Sequence, residues 1–387
     1  MNPFDDELNQ RLEALREQGL SRELRRVDSP QGPRIKIGGK LFLNFSSNDY
    51  LGLANHPALK EAAIKAVKKF GAGAGASRLI CGSLAPFYEL EESLAAFKKT
   101  EAALTFSTGY AAAIGTICAL LGKDDIIIID KLVHACIVDA ARLSGAKLRV
   151  FSHKDLNDLE DILKWSQKES RHSSLVTRHV LIVTESIFSM DGDAAPLREI
   201  VELKNKYGAW LMVDEAHATG LYGKNRRGLA EELGVSNQIE IQMGTLGKAL
   251  GASGGYICGS RALIDFLVNR ARSFIFSTAP VPAAAAAATA AILFVQSKSG
   301  QNRHDLLWQR VKQFNQKAKS AIVPILIGDE NKAVVAASKL RAKNIFIPAI
   351  RYPTVARGAA RLRVTLTAAH TAKDVDGLKA ALKTLNA

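Results

Sequence analysis

Residues 179–220 read HVLIVTESIFSMDGDAAPLREIVELKNKYGAWLMVDEAHATG. Two unbroken apolar runs, HVLIVTES and AWLMVDEA, flank a stretch whose apolar residues have the spacing of a helix. Continuous Val, Ile and Leu runs are typical of strands that helices cover on both faces, whereas strands with one wet face alternate. The stretch therefore predicts two parallel strands of an α/β sheet that are joined by a helix.

The alternation of helical stretches and apolar runs extends outward from this unit, between about residue 57 and residue 260. Five more runs predict strands: ALTF (103–106), DIIIID (125–130), KLRVF (147–151), IEIQMG (239–244) and GGYICGS (254–260). Before them, the sequence predicts an amphipathic helix in the first 25 residues and a hairpin in IKIGGKLFLNF. After them, an Ala-rich helix from Pro282 precedes three short strand-like runs, IVPILIGD, NIFIPAI and ARLRVTLTAAH.

We therefore expect three segments. Residues 1–56 form an N-terminal helix and hairpin, residues 57–284 form a large α/β domain around a mostly parallel, doubly wound sheet, and residues 285–387 form a small C-terminal α+β domain.

The charge of the chain is concentrated at one end. The 387 residues include 52 Lys and Arg against 38 Asp and Glu, a formal net charge of +14, and residues 301–387 contribute +11 of it. These basic residues stand singly among apolar ones, whereas nucleic-acid-binding arms usually carry contiguous basic runs. We therefore expect a solvated basic surface and no nucleic-acid partner; attraction of an acidic partner is the alternative.

The sequence shows no signal for export, membrane insertion or disulfide bonding. Its first residues, MNPFDDELNQ, are acidic where a signal peptide needs a basic and then an apolar run. The most apolar stretch, PVPAAAAAATAAILFV, is mostly alanine. Four scattered cysteines, Cys81, Cys118, Cys136 and Cys258, are expected to be buried small hydrophobes. These features predict a cytoplasmic protein that makes no membrane contact.

Polar residues that directly follow the apolar runs are candidates for a ligand site, because ligands of doubly wound sheets bind at the carboxyl ends of the strands. Glu185 follows one run, Asp214 and His217 follow the next, and Thr245 and Lys248 follow IEIQMG. Asp214 would be costly to bury without a positive partner such as a protonated cofactor ring nitrogen. An N-cap is the alternative role for Asp214. No third ligand with metal-site spacing accompanies Asp214 and His217, so no metal is expected.

Lys248 stands among glycines and small residues in GTLGKALGASGG. An amine that is desolvated in such a place can form a Schiff base with an aldehyde. The segment is not a P-loop, because two residues separate its first glycines where four are required. Enzymes that use pyridoxal phosphate need such a lysine and an acid for the pyridine nitrogen, here Asp214.

Three further features bear on a cofactor. Gly109 and Tyr110 open a predicted helix after ALTF, where free N–H groups suit a phosphate; an ordinary strand-to-helix turn is the alternative. His134 follows DIIIID and could stack on a planar ring; the alternative is a core histidine. The glycines of FGAGAGASR match the letters of a dinucleotide fingerprint but follow a helical stretch, so we predict a substrate-lining loop there.

In their order along the chain, these segments resemble the motifs of the α-oxoamine synthase family. The matching segments are GY, DKLVHA, TESIFSMDGD, VDEAHATG, TLGKALG and STAPVP, within a resemblance that runs from about Arg25 to His370. Members are fold type I enzymes that use pyridoxal phosphate to condense an amino acid with an acyl thioester, with loss of CO₂. The resemblance implies the same fold, the same cofactor and a homodimer with its active site at the subunit interface.

The resemblance also implies roles for single residues. Lys248 would bond covalently to the cofactor, Asp214 would pair with the ring nitrogen, His217 would contact the ring hydroxyl and His134 would stack over the ring. The remaining cofactor contacts would come from Gly109, Tyr110, Ser189, Thr245 and, across the dimer interface, Thr278 of the partner subunit.

Substrate contacts follow from the same resemblance. Asn48 and Glu185 match positions on the substrate side, and Arg363 matches the position that binds the amino-acid carboxylate. Arg351, Thr354 and an N-terminal arginine, Arg25 or its neighbours Arg22 and Arg26, match further substrate contacts.

Within the family, AIRYPTVARGAARLRVTLTAAH (349–370) resembles the members that join L-alanine to a pimeloyl thioester on the way to biotin. The thioester could be carried by coenzyme A or by an acyl carrier protein. Two alternatives remain open: a relative that uses glycine or another acyl group, such as a glycine C-acetyltransferase, and a basic binding module without catalysis.

Overall fold

A computed structural model of the chain describes residues 2–171 and 179–385. Its helices are α1 (Pro3–Glu17), α2 (Pro57–Phe70), α3 (Ala85–Lys98), α4 (Gly109–Leu120), α5 (Ala135–Ser144), α6 (Leu156–Arg171), α7 (Leu197–Tyr207), α8 (Leu229–Glu232), α9 (Arg261–Arg270), α10 (Arg272–Ile275), α11 (Pro282–Gln296), α12 (Lys298–Phe314), α13 (Glu330–Ala342) and α14 (Ala372–Lys383). Its strands are β1 (Arg34–Ile37), β2 (Lys40–Asn44), β3 (Ala102–Phe106), β4 (Ile126–Asp130), β5 (Lys147–Phe151), β6 (Val180–Glu185), β7 (Trp210–Asp214), β8 (Ile241–Thr245), β9 (Gly255–Gly259), β10 (Ile322–Gly328), β11 (Ile345–Phe346), β12 (Ala349–Ile350) and β13 (Ala360–Thr365).

The chain forms two compact units. Unit 1 comprises Met1–Ser47, Met190–Gly192 and Leu307–Ala387, and unit 2 comprises Asn48–Ser189 and Asp193–Leu306. The three segments that we expect from the sequence, divided after residues 56 and 284, remain a prediction about domains.

Unit 2 is built on a sheet of seven strands within its described residues, in the order β3-β9-β8-β7-β6-β4-β5. The neighbours from β8 to β5 are parallel, and β9 is antiparallel to both β3 and β8. All seven apolar runs predicted as strands lie in this sheet, which confirms the mostly parallel α/β fold. Every residue of β3, β4 and β9 is buried, as continuous apolar runs indicate.

The helices of unit 2 enclose an apolar core against this sheet. Ala112 and Ile117 of α4, Ile137 of α5 and Leu267 of α9 pack in one cluster with strand residues such as Met212. Elsewhere in the unit, α3 contacts β3, α6 contacts β4 and β5, and α7 contacts β7. Because the strands are held from end to end, the residues at their carboxyl ends have fixed positions.

The register of the parallel strands brings the candidate residues together. Glu185, the last residue of β6, is the register partner of Asp214, the last residue of β7. Asp214 is in turn the partner of Met243 on β8, two residues before Thr245. The polar residues that follow separate apolar runs in the sequence therefore meet at one edge of the sheet.

The described residues of unit 1 form two small sheets. The predicted hairpin is present, because β1 and β2 pair antiparallel, and β11 adds to it as a parallel third strand. The second sheet has the order β10-β13-β12 and is antiparallel. The predicted N-terminal helix is α1, and the predicted Ala-rich helix is α11 in unit 2.

Cysteine burial differs from the prediction at one position. Cys136 and Cys258 are buried and Cys118 is partly buried, but Cys81 is exposed. Cys81 lies in a single π-helical turn (Arg78–Gly82) in which Leu79 and Ile80 are exposed as well, so the prediction for Cys81 is wrong. A turn of one helical repeat presents most of its side chains outward, whatever their polarity.

In the part of the chain that the structure describes, no helix combines the length and the hydropathy that crossing a bilayer requires. Among the same residues, no group of three or more His, Cys, Asp and Glu side chains is arranged to hold a metal ion.

Candidate active site

Two buried carboxylates lie side by side at the edge of the unit 2 sheet. Asp214 is 6% exposed and Glu185 is 2% exposed. Burial raises the pKa of both groups; the charge of Asp214 raises that of Glu185 further, and the Lys248 ammonium opposes the shift in both. Asp214 Oδ1 also accepts a hydrogen bond from Ala216 N at 2.8 Å, in the turn that follows β7. Two carboxylates in so dry a place favour the binding of a cation.

Lys248 stands at one end of a chain of hydrogen-bonding groups. Its Nζ lies 2.9 Å from His217 Nε2, and His217 Nδ1 lies 2.6 Å from Tyr50 Oη. Tyr50 Oη is also 3.4 Å from Asn48 Oδ1, to which it can donate. His217 and Tyr50 are both buried, whereas Lys248 is half-buried. The amine of Lys248 is therefore held by groups that can exchange protons with it.

Tyr50 is a site residue that the sequence reasoning missed. Its side chain is 1% exposed, and its ring meets that of His217 edge-on, with centroids 6.1 Å apart. A signal was present, because Tyr50 stands two residues after the predicted Asn48 in NFSSNDYLGL. No local pattern shows, however, that this segment reaches a histidine 167 residues further along the chain.

The predicted phosphate position is a cradle between α4 and β8. Gly109 begins α4, and a Cβ at this position would lie 2.6 Å from Thr245 Cγ2. Thr245 Oγ1 is buried and has no hydrogen-bond partner among the described residues. The first turn of a helix leaves backbone N–H groups without partners in the helix and carries a partial positive charge. The glycine cradle, the helix end and the unpaired hydroxyl together suit an anion. Tyr110, the second residue of α4, donates a hydrogen bond to Asp139 Oδ2 at 2.5 Å.

His134 and Ser189 meet at Glu185. The backbone N–H groups of both residues face the Glu185 carboxylate and oppose the rise of its pKa, while Glu185 Oε1 is buried and has no hydrogen-bond partner within the described residues. His134 is exposed and caps α5, its Nδ1 accepting from Cys136 N at 3.2 Å. His134 is therefore not a core histidine, and the structure brings it together with Glu185 and Ser189.

The other predicted substrate residues belong to unit 1. Arg25, Arg351 and Thr354 line one groove of about 450 Å³. Arg351 donates to the backbone oxygens of Gly19 and Ser21, the latter at 2.7 Å. Their contact with a substrate remains a prediction.

Among the three N-terminal arginines, Arg22 reaches Thr354. Its Nη2 donates to Thr354 Oγ1 at 3.5 Å, whereas Arg26 pairs with Asp28. Arg363 lies on β13, where it is buried and donates to Thr365 Oγ1 at 3.0 Å.

Thr278, predicted to reach the partner's active site, is exposed in unit 2. Its backbone forms an isolated bridge with Ser77, at the end of the predicted glycine-rich loop. The bridge fixes the backbone of Thr278 and leaves its side chain accessible.

The arrangement in unit 2 suits a flat, phosphorylated ring that carries an aldehyde and a basic nitrogen. Lys248 offers an amine for the aldehyde, Asp214 offers a buried carboxylate for the nitrogen, and the cradle at Gly109 and Thr245 offers donors for the phosphate. The unpaired Thr245 Oγ1 is the observation that best supports this fit, because a buried hydroxyl without a partner is costly.

Comparisons with known proteins find relatives that match nearly the whole of this chain. The model of the aminotransferase class I and II family matches residues 40–382. The 8-amino-7-oxononanoate synthase of Thermoanaerobacter pseudethanolicus is 45% identical and aligns over 98% of this chain and 95% of its own. A serine palmitoyltransferase from S. paucimobilis, solved with a bound PLP–myriocin aldimine, is 28% identical and superposes with a TM-score of 0.89 over 98% of both chains. The 8-amino-7-oxononanoate synthase of Francisella tularensis is 29% identical and superposes with a TM-score of 0.74 over 89% of this chain and 98% of its own.

Proposed function

Because the chain belongs to the aminotransferase class I and II family, we propose that it is a pyridoxal-phosphate-dependent acyltransferase. It joins L-alanine to a pimeloyl thioester and releases 8-amino-7-oxononanoate, CO₂ and a free thiol, a step of biotin biosynthesis. The observation that carries this proposal is the near-complete alignment with curated 8-amino-7-oxononanoate synthases at 42–47% identity. The juxtaposition of Lys248, His217 and Asp214 supports it independently.

The residues present fit pyridoxal phosphate. Lys248 would hold its aldehyde carbon, Asp214 its ring nitrogen and His217 its ring hydroxyl, while Gly109 and Thr245 would hold its phosphate. His134 and Ser189 would complete the pocket, with Tyr110 near the phosphate. When bound, pyridoxal phosphate supplies an acceptor for the electron pair that remains on the alanine Cα after a bond to that carbon breaks.

Asp214 has the task of keeping the ring nitrogen protonated. Its carboxylate is buried beside that of Glu185, so its negative charge is poorly solvated. A proton on a nearby nitrogen relieves this cost, because opposite charges attract strongly where water is excluded.

Lys248 has the task of moving the proton at the alanine Cα. When Tyr50 donates to His217 Nδ1, Nε2 carries a proton and donates to a neutral Lys248 amine, which can act as a base. When Nδ1 carries the proton and Tyr50 accepts it, Nε2 accepts from a Lys248 ammonium. The network therefore supports both protonation states of Nζ through one change of tautomer.

The proposed reaction balances in bonds and protons. The alanine Cα loses a proton and bonds to the acyl carbon, the carbon–sulfur bond breaks, and the thiolate leaves and takes up a proton. The bond from Cα to the carboxyl group then breaks, CO₂ leaves, and Cα takes up a proton. The thiolate and Cα together take up two protons, of which one is the proton released from Cα and the other comes from the solvent. Arg363 remains the predicted partner of the alanine carboxylate.

We further propose a cytoplasmic homodimer in which Thr278 of the partner subunit contacts the cofactor phosphate. The resemblance of the motifs to dimeric enzymes and the accessible side chain of Thr278 in this chain support the proposal. Light scattering of the purified protein should give twice the mass of one chain.

Replacing Gly109 with alanine should weaken cofactor binding. The added Cβ would lie 2.6 Å from Thr245 Cγ2, so Thr245 must shift within the proposed phosphate cradle. We expect the dissociation constant for pyridoxal phosphate to rise by about tenfold, the loss of roughly one hydrogen bond to a charged group. Gly122→Ala is the matched control, because a Cβ at Gly122 meets nothing within 4 Å. Equal dissociation constants for the two variants would show that the phosphate binds elsewhere.

A substrate panel tests the proposed activity. Alanine, glycine and serine would each be offered with pimeloyl, acetyl, succinyl and palmitoyl thioesters, the pimeloyl group on coenzyme A and on acyl carrier protein. We expect the highest kcat/KM for alanine with a pimeloyl thioester, and the two carriers identify the physiological donor. Exclusive use of glycine would replace the proposal with a glycine-dependent condensation. A protein that turns over none of these pairs would favour the basic binding module.

A further inference from the structure

His153 joins two carboxylates that belong to different segments of unit 2. It follows β5, and its Nδ1 lies 2.9 Å from Asp130 Oδ1 while its Nε2 lies 3.0 Å from Asp193 Oδ2. Its ring meets that of Phe188 edge-on, with centroids 4.4 Å apart. Because a carboxylate accepts hydrogen bonds, this geometry requires a proton on each ring nitrogen, and hence a positively charged imidazolium.

Each of the two carboxylates holds a segment that leads to a proposed cofactor contact. Asp130 ends β4 and is 1% exposed; its Oδ1 also accepts from Leu132 N at 2.8 Å, at the start of the segment that ends at His134. The backbone oxygen of Asp193 accepts from Phe188 N at 2.9 Å, next to Ser189. His153 therefore connects the supports of His134 and of Ser189.

The same two segments also meet at Glu185. The backbone N–H groups of both His134 and Ser189 face its carboxylate. Glu185 thus lies between the two segments on the proposed cofactor side. His153, which follows β5, joins Asp130 and Asp193, the carboxylates that hold the two segments. His153 takes no part in the proposed chemistry, since it is not among the residues that would touch the cofactor.

The charges that face His153 favour its protonated form. Asp130 faces it from β4 and Asp193 from the segment after β6, while Lys154, its neighbour in sequence, donates to Asp193 Oδ2 at 2.5 Å. Partial burial opposes the charge of the imidazolium, but the hydrogen bonds to Asp130 and Asp193 outweigh it and raise the pKa of His153 to about 9. The His153 and Lys154 charges hold the pKa of Asp193 below its usual range, against burial.

We propose that His153 is a positioning residue for the cofactor pocket: by bridging Asp130 and Asp193 as an imidazolium, it sets the spacing between His134 and Ser189. The inference rests on the proposed function, because it concerns the pocket that would hold pyridoxal phosphate. A neutral imidazole has one N–H and can donate to only one of the two carboxylates, so loss of the proton opens one side of the bridge.

The bridge has a defined pH window. The pKa of His153 is raised by folding from 6.5, so the stabilisation from the bridge is complete below about pH 6.5 and is lost as the pH rises through about 9. Histidine NMR of the protein without cofactor should show one ring that titrates near pH 9, and this signal should be absent from His153→Gln. A His153 ring that titrates near 6.5 would overturn the proposal.

Cofactor affinity separates a positioning role from a merely structural one. The apoprotein of His153→Gln should bind pyridoxal phosphate about tenfold more weakly than wild type at pH 7.5, the cost of one hydrogen-bonded charge. The ratio of the two dissociation constants should fall toward one by pH 10, where wild type has also lost the imidazolium. Asp193→Asn should weaken binding similarly, and the double variant should be no weaker than either single variant.

His179→Gln is the matched control. His179 also contacts an aromatic ring, with its centroid 4.3 Å from that of Trp210. It directly precedes β6, however, at the end of that strand opposite to Glu185. The His179→Gln variant should bind pyridoxal phosphate with the wild-type affinity and the wild-type pH dependence. If His153→Gln lowers the urea midpoint of the apoprotein but keeps the wild-type affinity at every pH, His153 is only structural and the proposal is overturned. A wild-type protein that takes up no pyridoxal phosphate overturns the proposed function and this inference together.

Discussion

Lys248→Ala should abolish turnover of alanine with the pimeloyl thioester. The variant loses both the amine that bonds to the cofactor and the base for the alanine Cα, so we expect kcat to fall by about 10⁴-fold or more. The wild-type protein should be yellow after reconstitution, and the variant should lose the visible absorbance of the lysine-bound cofactor. Steady-state kinetics and an absorption spectrum of the same samples measure both effects.

Two further variants show which property of Lys248 the reaction needs. Lys248→Arg keeps a positive charge near His217 and Asp214 but cannot bond to the aldehyde, so it should be as inactive as the alanine variant. Lys224→Ala removes an exposed lysine of the same unit and should behave as wild type. Activity in Lys248→Arg would mean that Lys248 contributes only charge, which contradicts the proposed role.

The largest effect on stability should come from Lys98, which forms a buried ion pair with Glu215, the residue after Asp214. Both side chains are 1% exposed. Lys98 Nζ also donates to Arg227 O at 2.6 Å, and Glu215 Oε1 accepts from Ala230 N at 2.9 Å. Burial opposes the charge of Lys98, but Glu215 outweighs it and raises the Lys98 pKa. Lys98→Met should lower the free energy of unfolding by about 3–5 kcal/mol, because it leaves the Glu215 carboxylate buried without its cation.

The double variant Lys98→Met with Glu215→Leu tests this explanation. The double variant has no buried charge without a partner. Urea unfolding should therefore show that it recovers much of the free energy of unfolding that Lys98→Met loses. Lys99→Met, at the exposed neighbouring lysine, should leave the urea midpoint close to that of wild type. If the double variant is as unstable as the sum of the two single variants, the pair stabilises the fold by packing and not by charge.

The strands of unit 2 could be predicted because the burial of each strand is visible in its own sequence. A run such as DIIIID is apolar without interruption when both faces of the strand are covered, and Ile126–Ile129 are all nearly inaccessible. The order of the strands in the sheet is not visible in the sequence of any single strand. Nothing within GGYICGS shows that β9 lies between β3 and β8, and nothing within NIFIPAI shows that β11 pairs with β2 at the other end of the chain.

The candidate site likewise has residues that one segment reveals and residues that depend on contacts between distant segments. Glu185, Asp214 and Lys248 could be found because a polar residue at the end of an apolar run stands out from its neighbours. Tyr50 and the pair of Lys98 with Glu215 could not, because each depends on a contact between segments that are distant in sequence. The roles taken from the resemblance, such as those of Arg363 and Thr278, go beyond what local pattern and geometry supply.

The most direct test of the proposed chemistry follows the carboxyl carbon of the amino acid. The reconstituted protein would receive pimeloyl-CoA and L-alanine labelled with ¹³C in its carboxyl group. We expect labelled CO₂, free coenzyme A and unlabelled 8-amino-7-oxononanoate in equal amounts, because the condensation breaks the bond between Cα and the labelled carbon. Labelled pyruvate without CO₂ would instead show that the protein transfers the amino group, and it would contradict the decarboxylative condensation that we propose.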